Sequence, residues 1–335
     1  MPLSAITDPW VRENTVGRVE DIHDQGDGSF VVRVSLGAAT TGGEAGQLLN
    51  MLFGNSSIHD HISLLDADLP HTLTTEFPGP GLGEAGLRNL VGAPTRPLTC
   101  GALKPQGLSS GALAELAYRL ALGRLDFIKD DHGLADQAYS PFEERVARVA
   151  RAIAKANAET GHTTCYVPSL TGNLDQLRHQ AKFAHGHGAA CVMIAPMIAG
   201  LPALTALRRD FPHLGIFVHP AMAGAARITP PLLLGRLFRM MGADATIFPN
   251  HGGLFGYSPQ TCRELAEAAR SEWHGMAPSL PVPAGGMTTE RVDEMLDFYG
   301  PHVILLIGGD LLAAGPRLTQ ETLSFTTKVA GHVFV

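Results

Sequence analysis

The stretch that decides the fold runs Leu125-Asp126-Phe127-Ile128-Lys129-Asp130-Asp131-His132. It begins as an apolar strand and ends in ionisable side chains. Because a strand places alternate residues on opposite faces, Lys129 and Asp131 are predicted to share one face and Asp130 the other. A lysine beside carboxylates can be a simple salt bridge. A second lysine, Lys104, ends the neighbouring predicted strand Thr99–Pro105, and two lysines at adjoining strand ends favour a chemical role.

From residue 99 onward, predicted strands alternate with predicted helices. The strand candidates are apolar and number eight: Thr99–Pro105, Leu125–Asp131, Thr163–Leu170, Ala189–Pro196, Leu214–Ala221, Asp244–Asn250, Ser279–Gly286 and Val303–Gly309. The helix candidates include Pro141–Thr160, Leu174–His185, Thr229–Gly242, Pro259–Glu272 and Thr289–Tyr299. Ser140-Pro141-Phe142-Glu143 fits a capping box, and Ser258-Pro259 repeats the cap-then-proline signal. Alternation of this kind predicts an α/β protein whose parallel strands form a (β/α)₈ TIM barrel, here assigned to residues 95–335.

Residues 1–94 follow a different pattern. Phe30–Ser35 is rich in β-branched residues and predicts a strand, and Glu44–Leu52 predicts a helix. Asn55-Ser56-Ser57 is expected to be a loop. Segments rich in proline and glycine follow at residues 77–82 and 92–97. We therefore expect a small N-terminal α+β domain ahead of the barrel.

Composition excludes several classes of protein. The 335 residues are 45% apolar and 17% charged, which is typical of a globular protein with a large core. A net charge of −7 gives no basic surface for nucleic acid, so no nucleic-acid partner is expected. Four scattered cysteines and the lack of a signal-peptide pattern favour a cytoplasmic location. The uncharged run Gly188–Leu207 could span a membrane, but Pro196, Gly200 and Pro202 break it, and a buried strand, a loop and a helix start are predicted instead.

In a TIM barrel the chemistry lies at the carboxyl ends of the strands, so those positions are the candidate site. His219 closes the fifth predicted strand. A lone histidine is more often a packed core residue, but this location favours a functional role. Gly285-Gly286 and Gly308-Gly309 follow strands seven and eight, where barrels commonly hold phosphate. A single Gly-Gly pair usually means a tight turn, whereas two pairs at these positions predict a phosphate site.

These motifs together resemble RuBisCO-like proteins, the non-carboxylating form IV members of the RuBisCO large-chain family. The resemblance rests on residues 126–131, 101–105, 219–222, 284–287 and 308–309. It implies that CO₂ converts Lys129 to a carbamate, that Asp131 binds Mg²⁺ beside it, and that Lys104 and His219 are catalytic. It also implies that Gly285, Gly286, Gly308 and Gly309 bind the phosphate of a small substrate.

Two segments of the small domain also resemble the family. Residues 13–17 are similar to a loop that contains a glutamate, here Glu13, and residues 50–55 end in the corresponding asparagine, Asn55. In the family both loops serve the barrel of the neighbouring subunit. The resemblance therefore implies a homodimer, or a larger assembly of dimers, in which Glu13 and Asn55 complete the partner's site. The chain reaches Glu13 almost at once, so a small domain without a first strand and helix is expected.

The sequence departs from the family at positions that matter for chemistry. His132 stands where a second carboxylate ligand is expected, and imidazole suits softer divalent metals than Mg²⁺. Residues 250–258 contain no lysine, whereas carboxylases hold the new carboxylate with one. Pro220 replaces an arginine for a second phosphate, and Ala284 replaces a serine. Arg227 is the nearest cation and is expected to be solvated. Carboxylation and a bisphosphate substrate are therefore not expected.

The predicted chemistry is formation of an enediolate. Carbamylated Lys129, Asp131 and His132 would hold a divalent metal that polarises a substrate carbonyl, and Lys104 would act as acid or base. The resemblance favours decarboxylation or C–C cleavage of a substrate like 3-oxo-isoapionate 4-phosphate. The alternatives are enolisation of 2,3-diketo-5-methylthiopentyl-1-phosphate and isomerisation of a sugar phosphate. A non-catalytic remnant that only binds a phosphorylated metabolite is the alternative of another class.

Overall fold

Eight parallel strands form the predicted barrel in the computed structural model, which describes residues 2–334. They are β3 (Leu98–Leu103), β4 (Phe127–Asp130), β5 (Cys165–Val167), β6 (Cys191–Ile194), β7 (Gly215–Val218), β8 (Ala245–Pro249), β9 (Leu280–Ala284) and β10 (Ile304–Ile307). Each lies within its predicted segment except β3, which begins one residue earlier. The prediction of an α/β TIM barrel is therefore confirmed.

The barrel consists of two four-stranded halves, ordered β10-β3-β4-β5 and β6-β7-β8-β9. A parallel bridge between Ser169 and Met193 joins the halves at one junction, and β9 lies beside β10 at the other. The register pairs Ala102 with Lys129 and Leu103 with Asp130. The ends of β3 and β4, which carry the two lysines, are therefore neighbours.

Helices surround the barrel and bury its outer face. The barrel helices are α5 (Ser110–Leu122), α6 (Phe142–Thr160), α7 (Leu174–Gly186), α8 (Pro196–Ala199), α9 (Leu201–Asp210), α10 (Phe238–Met240), α11 (Pro259–Arg270), α12 (Val292–Tyr299), α13 (Gly309–Ala313) and α14 (Leu318–Gly331). Before α10, the predicted helix Thr229–Gly242 is a π-helical segment, Pro231–Leu237. Ile128 packs into the helix layer, whereas Phe127 lies in the barrel interior, 5.1 Å from Phe217 between ring centroids. Burying each such side chain stabilises the fold by about 1.5–3 kcal/mol.

The two predicted helix caps have different outcomes. Ser258 accepts a hydrogen bond from the Thr261 N–H at 3.0 Å and Pro259 is the first helical residue, as predicted. The capping box predicted at Ser140 is wrong. The Phe142 N–H donates to Asp136 Oδ1 at 2.7 Å, and the Ser140 hydroxyl instead pairs with a buried serine of α5.

The N-terminal part contains a helix, a hairpin and further helices. They are α1 (Pro9–Asn14), β1 (Arg18–Asp24), β2 (Phe30–Ser35), α2 (Ala45–Phe53), α3 (His71–Thr74) and α4 (Gly83–Leu90). Strands β1 and β2 are antiparallel, and residues 55–58 form a 3₁₀ turn where a loop was predicted. The N–H groups of Leu82 and Gly83 donate to Asp244 Oδ1 at 2.7 Å, and Leu87 packs into the barrel interior, so α4 closes the bottom of the barrel. The domain division at residue 94 remains a prediction, and Met1 and Val335 lie outside the described residues.

The uncharged run from residue 188 to 207 folds as predicted into a buried strand, a loop and helices, namely β6, α8 and the start of α9. In the part of the chain that the structure describes, every helix is too short or too polar to cross a membrane. All four cysteines are buried free thiols, as expected of core residues.

Candidate active site at the barrel strand ends

Lys129 is the buried centre of the candidate site. Its neighbours in β4 follow the predicted alternation, with Phe127 inside the barrel and Asp130 facing the helix layer. The Lys129 side chain is 3% exposed, and its Nζ donates to the Asp130 carbonyl oxygen at 2.9 Å. Burial lowers the pKa of Lys129, and the charge of Lys104 lowers it further. The neutral amine is the form that reacts with CO₂, so this environment suits carbamate formation.

Asp131 and His132 follow Lys129 at the same strand end. Asp131 is mostly buried, and His132 Nδ1 lies 2.9 Å from its Oδ1. Although burial opposes the change, the hydrogen bond with His132 and the charges of Lys104 and Lys129 lower the pKa of Asp131 to about 2. The carboxylate is therefore ionised at neutral pH and available as a ligand or an ion-pair partner.

His219 lies against His132 from the end of β7. The two rings are stacked, with centroids 4.4 Å apart and planes 3° apart. Burial, followed by the charges of Lys129 and His132, lowers the pKa of His219 to about 2. The Ala221 N–H donates to His219 Nδ1 at 3.2 Å. Since Nδ1 is an acceptor, the neutral ring carries its proton on Nε2.

Lys104 completes this group from the end of β3. The Asp131 N–H donates to the Leu103 carbonyl oxygen at 3.2 Å, which ties the ends of β3 and β4 together. The charge of Lys104 acts on Asp131, Lys129 and His219. The structure thus brings together all five predicted catalytic and metal-binding side chains: Lys104, Lys129, Asp131, His132 and His219.

Behind these side chains lies a buried ion pair between Asp130 and Arg145, which the sequence analysis did not predict. Asp130 is fully buried and accepts hydrogen bonds from Arg145 Nε at 3.1 Å, Tyr166 Oη at 2.7 Å and the Ser169 N–H at 3.1 Å. Burial and the charge of Asp130 raise the pKa of Tyr166 well above its ordinary value, so the phenol remains a donor. The signal was present, because an arginine interrupts the apolar stripe of α6, where Val146 and Val149 are buried.

The two glycine pairs lie at the ends of β9 and β10. Gly285 and Gly286 have φ values of 81° and 70°, which disfavour any residue with a Cβ. An added Cβ at Gly309 would meet no atom within 4 Å, and one at Gly308 would meet only Ala102, at 3.9 Å. Open space therefore adjoins the end of β10. Phosphate binding at these glycines remains a prediction.

Arg227 is half-buried and hydrogen-bonded to backbone carbonyls, whereas a solvated side chain was expected. Its Nε donates to the Ile62 carbonyl oxygen at 3.2 Å, and one terminal nitrogen binds the carbonyl oxygens of Ser57 and His59. These contacts join residues about 165–170 positions apart in the chain, beyond the reach of a local sequence pattern. Two of the three guanidinium nitrogens thus fasten the N-terminal part to the barrel.

Glu13 and Asn55 are both exposed in the N-terminal part. Within residues 2–334, neither side chain hydrogen-bonds to the strand-end group, by which we mean the five side chains Lys104, Lys129, Asp131, His132 and His219. Exposure leaves both free to reach another subunit, as the resemblance implies, and their role there remains a prediction.

The fit of a metal depends on the state of Lys129. Among the described residues, no three His, Cys, Asp or Glu side chains form a metal-binding group. Asp131 supplies an oxygen ligand and His132 a nitrogen ligand, which is too few for a divalent cation by themselves. A carbamate on Lys129 would add a second anionic oxygen ligand, and with it the residues present fit a divalent metal.

Comparison with known proteins identifies the family. Residues 84–315 match the model of the ribulose bisphosphate carboxylase large chain, catalytic domain. The chain belongs to the RuBisCO large-chain family. A solved RuBisCO-like protein from Rhodopseudomonas palustris has a TM-score of 0.93 and 50% identity, over 99% of this chain and 91% of that one. The RuBisCO-like assignment made from the motifs is therefore confirmed.

Relatives of this RuBisCO-like chain bear the names of enolase and isomerase enzymes. The 5-methylthioribulose-1-phosphate isomerase of Rhodospirillum rubrum is 57% identical over 99% of this chain and 89% of its own length. The 2,3-diketo-5-methylthiopentyl-1-phosphate enolase of Geobacillus thermodenitrificans is 32% identical over 84% of this chain and 70% of its own. Among solved structures, the octameric Rubisco of Pyrococcus horikoshii has a TM-score of 0.90 and 26% identity, over 96% of this chain and 78% of that one.

Proposed function

We propose that this chain is a metal-dependent isomerase that moves the carbonyl group of a monophosphorylated keto sugar through an enediolate. The proposal rests on a cluster of side chains at adjoining strand ends, which places candidate metal ligands beside candidate acid–base groups. The cluster consists of Lys104, Lys129, Asp131 and His219. The 57% identical isomerase supports this reaction over decarboxylation or cleavage of a 3-oxo-isoapionate 4-phosphate-type substrate. We name 5-methylthioribulose 1-phosphate as the first substrate to test.

The ligand set follows from the strand end. Lys129 as a carbamate, Asp131 and His132 would hold the divalent metal, either Mg²⁺ or a softer ion that accepts imidazole. When bound, such an ion polarises a carbonyl group and makes the neighbouring C–H more acidic. The neutral amine favoured by burial of Lys129 supports this assignment, because only that form adds CO₂.

Two residues would move the protons of the substrate. Lys104 is half-buried at the mouth of the barrel and is the candidate for removing a proton from carbon and returning it to the adjacent carbon. His219 is neutral and points its N–H-bearing Nε2 away from the Ala221 bond. It can donate to an oxygen as negative charge develops there, without adding another cation beside Lys104 and Lys129.

The phosphate would bind at the glycines that end β9 and β10. The loops after β7 and β8 offer Pro220 and a lysine-free segment, and the Arg227 guanidinium is engaged elsewhere. A second phosphate there would lose its water without gaining a cation, and an unpaired buried charge is costly. These features support a monophosphate.

A second candidate is the enolase reaction on 2,3-diketo-5-methylthiopentyl-1-phosphate. It is supported by the 32% identical Geobacillus relative, and its substrate also has one phosphate and a methylthio group, together with two adjacent carbonyl groups. The same acid–base groups would serve it, since enolisation requires removal of the same kind of C–H proton.

The test is proton NMR in D₂O with 5-methylthioribulose 1-phosphate, Mg²⁺ and bicarbonate. We expect deuterium to enter beside the carbonyl as the carbonyl moves. Lys129→Ala should lose at least about 10³-fold in rate, or ~4 kcal/mol, with an unchanged circular dichroism spectrum. Lys155→Ala, a solvent-exposed lysine on α6, is the control. Activity of Lys129→Ala within tenfold of wild type would contradict the carbamate, and a wild-type protein inert towards both methylthio substrates would favour the non-catalytic remnant.

A further inference from the structure

The loop after β8 presents large apolar side chains to solvent at the mouth of the barrel. Leu254 is 90% exposed and Phe255 is 59% exposed. On the next loop along the rim, after β7, Met222 is 61% exposed. Exposed apolar side chains of this size gain free energy when they are covered, and they favour a binding surface at this rim.

The loop is held against the glycine turn after β9. A Cβ on Gly253 would lie 2.4 Å from the Gly285 carbonyl oxygen, and one on Gly286 would lie 2.5 Å from Gly253 Cα, so the two backbones are in direct contact. Arg291 donates to the Gly286 carbonyl oxygen at 3.1 Å and to the His251 carbonyl oxygen at 3.2 Å. The backbone of the loop at Gly253 is therefore fixed by packing against the glycine turn.

Phe255 lies directly beside that turn. The Cδ2 and Cε2 atoms of its ring are 3.4 Å from the point where a Cβ of Gly285 would be. A substrate whose phosphate binds at the glycine turns would thus have an aromatic face at the edge of its site. This continuity distinguishes Phe255 from apolar side chains elsewhere on the surface.

The charges around this rim exclude an anionic group. Three arginines lie near this rim, and each has a partner. Arg227 binds backbone carbonyls of the N-terminal part, and Arg291 binds Glu294 at 2.9 Å in addition to its two carbonyls. Arg263 lies over the Phe298 ring, 4.7 Å from its centroid. The part of the substrate that lies here must therefore be uncharged. A thioether is apolar and polarisable, and sulfur makes favourable contacts with aromatic rings.

We propose that Leu254 and Phe255, together with Met222, form the subsite for the non-phosphorylated end of the substrate and select an alkylthio group over a hydroxyl group. The inference rests on the proposed function for the phosphate site and extends it to the distal end.

The experiment uses two ligands that lack a carbonyl group and cannot react, 5-(methylthio)pentyl phosphate and 5-hydroxypentyl phosphate. Calorimetry on the full chain with Mg²⁺ and bicarbonate gives the dissociation constant of each ligand. Because both ligands carry the same phosphate, its contribution cancels in the ratio of the two constants. We expect wild type to prefer the methylthio ligand by at least about tenfold. Phe255→Ser should reduce the preference to below about threefold, and Leu254→Ser should reduce it in part. Leu323→Gln, an exposed apolar residue of α14, is the matched control.

Three results would contradict the subsite. They are a wild-type ratio of dissociation constants near one, no binding of either ligand at millimolar concentration, and a ratio that is unchanged in both variants. If Phe255→Ser changes the oligomeric state by light scattering but leaves the ratio unchanged, the loop covers a second copy of this chain instead. Turnover of 5-methylthioribulose 1-phosphate is measured separately. If the protein prefers the methylthio ligand but does not isomerise 5-methylthioribulose 1-phosphate, the proposed function alone is refuted. If it isomerises that substrate without preferring the methylthio ligand, the subsite alone is refuted.

Discussion

Arg145→Met is expected to be among the most destabilising single changes near the site. The Arg145 side chain is fully buried, with its Nε 3.1 Å from Asp130 Oδ2 and one terminal nitrogen donating to the carbonyl oxygens of Ala135 and Ser140. Methionine would fill much of the volume but leave the carboxylate of Asp130 buried with two neutral donors. Removing one partner of a buried ion pair costs about 3–5 kcal/mol. We expect a loss of ~4 kcal/mol.

The matched control is Arg148→Met, one turn further along α6. Arg148 also pairs with a carboxylate, with its Nε 2.8 Å from Glu144, but its side chain is 54% exposed. Exposed pairs four residues apart on a helix contribute about 0.3–0.5 kcal/mol. Thermal unfolding at a fixed protein concentration should therefore lower Tm by ~8 °C for Arg145→Met, at ~2 °C per kcal/mol, and by about 1 °C for the control.

The double variant Asp130→Asn/Arg145→Met separates loss of charge pairing from loss of packing. Asparagine can still accept from Tyr166 but carries no charge, so the double variant should be more stable than Arg145→Met alone. Activity should fall in Arg145→Met, because the Asp130 carbonyl oxygen holds Lys129 Nζ and the next residue is Asp131. A Tm for Arg145→Met within 2 °C of that of Arg148→Met would refute this account of Asp130.

Three further outcomes are expected. Ribulose bisphosphate and labelled bicarbonate should yield no labelled 3-phosphoglycerate above background, since residues 250–258 contain no lysine and Pro220 replaces an arginine. A bisphosphate should bind no more tightly than the monophosphate of the same carbon skeleton, and tenfold tighter binding with the second phosphate near Pro220 or Arg227 would contradict the single phosphate site. Co-expression of Lys129→Ala and Asn55→Ala chains should restore activity that neither variant has alone, because a mixed dimer contains one intact site only if Asn55 serves the partner's barrel.

The barrel could be predicted because its signals are local. Each strand is a short apolar segment, and β4 shows the alternation clearly, with Phe127 inside the barrel and Ile128 in the helix layer. All eight predicted strands were longer than the observed ones, because the predicted segments included flanking residues such as Asp131, Asn250 and Gly286 that lie beyond the hydrogen-bonded ladder. The cap predicted at Ser140 failed because a distant serine binds its hydroxyl and leaves the helix start to Asp136. Caps depend on what else lies within reach.

The strand-end group could be predicted because chain order and strand direction place such residues at one rim. The sequence predicts that Lys104 and Lys129 lie at adjoining strand ends, and the register confirms that β3 and β4 are paired. The surrounding contacts could not be found in this way. The Arg227 bonds and the backbone contact of Gly253 with Gly286 depend on how loops far apart in the chain fold over one another. The stacking of His132 on His219 likewise joins two strand ends whose spacing depends on barrel closure.

Alternate residues of β4 face the candidate site and the helix layer, so this strand contributes to both the site and the stability of the fold. The inward residue Lys129 and the outward residue Asp130 are adjacent, so the buried pair of Asp130 with Arg145 fixes the backbone that carries Lys129 and Asp131. A change there would cost stability as well as chemistry. In the loops after β7 and β8, the side chains of Leu254, Phe255 and Met222 are exposed, so replacing them should cost little stability. If the proposed subsite is right, we expect substitutions of Leu254, Phe255 and Met222 to change which group is accepted at the distal end of the substrate, and to leave the proposed proton transfer at the strand ends unchanged.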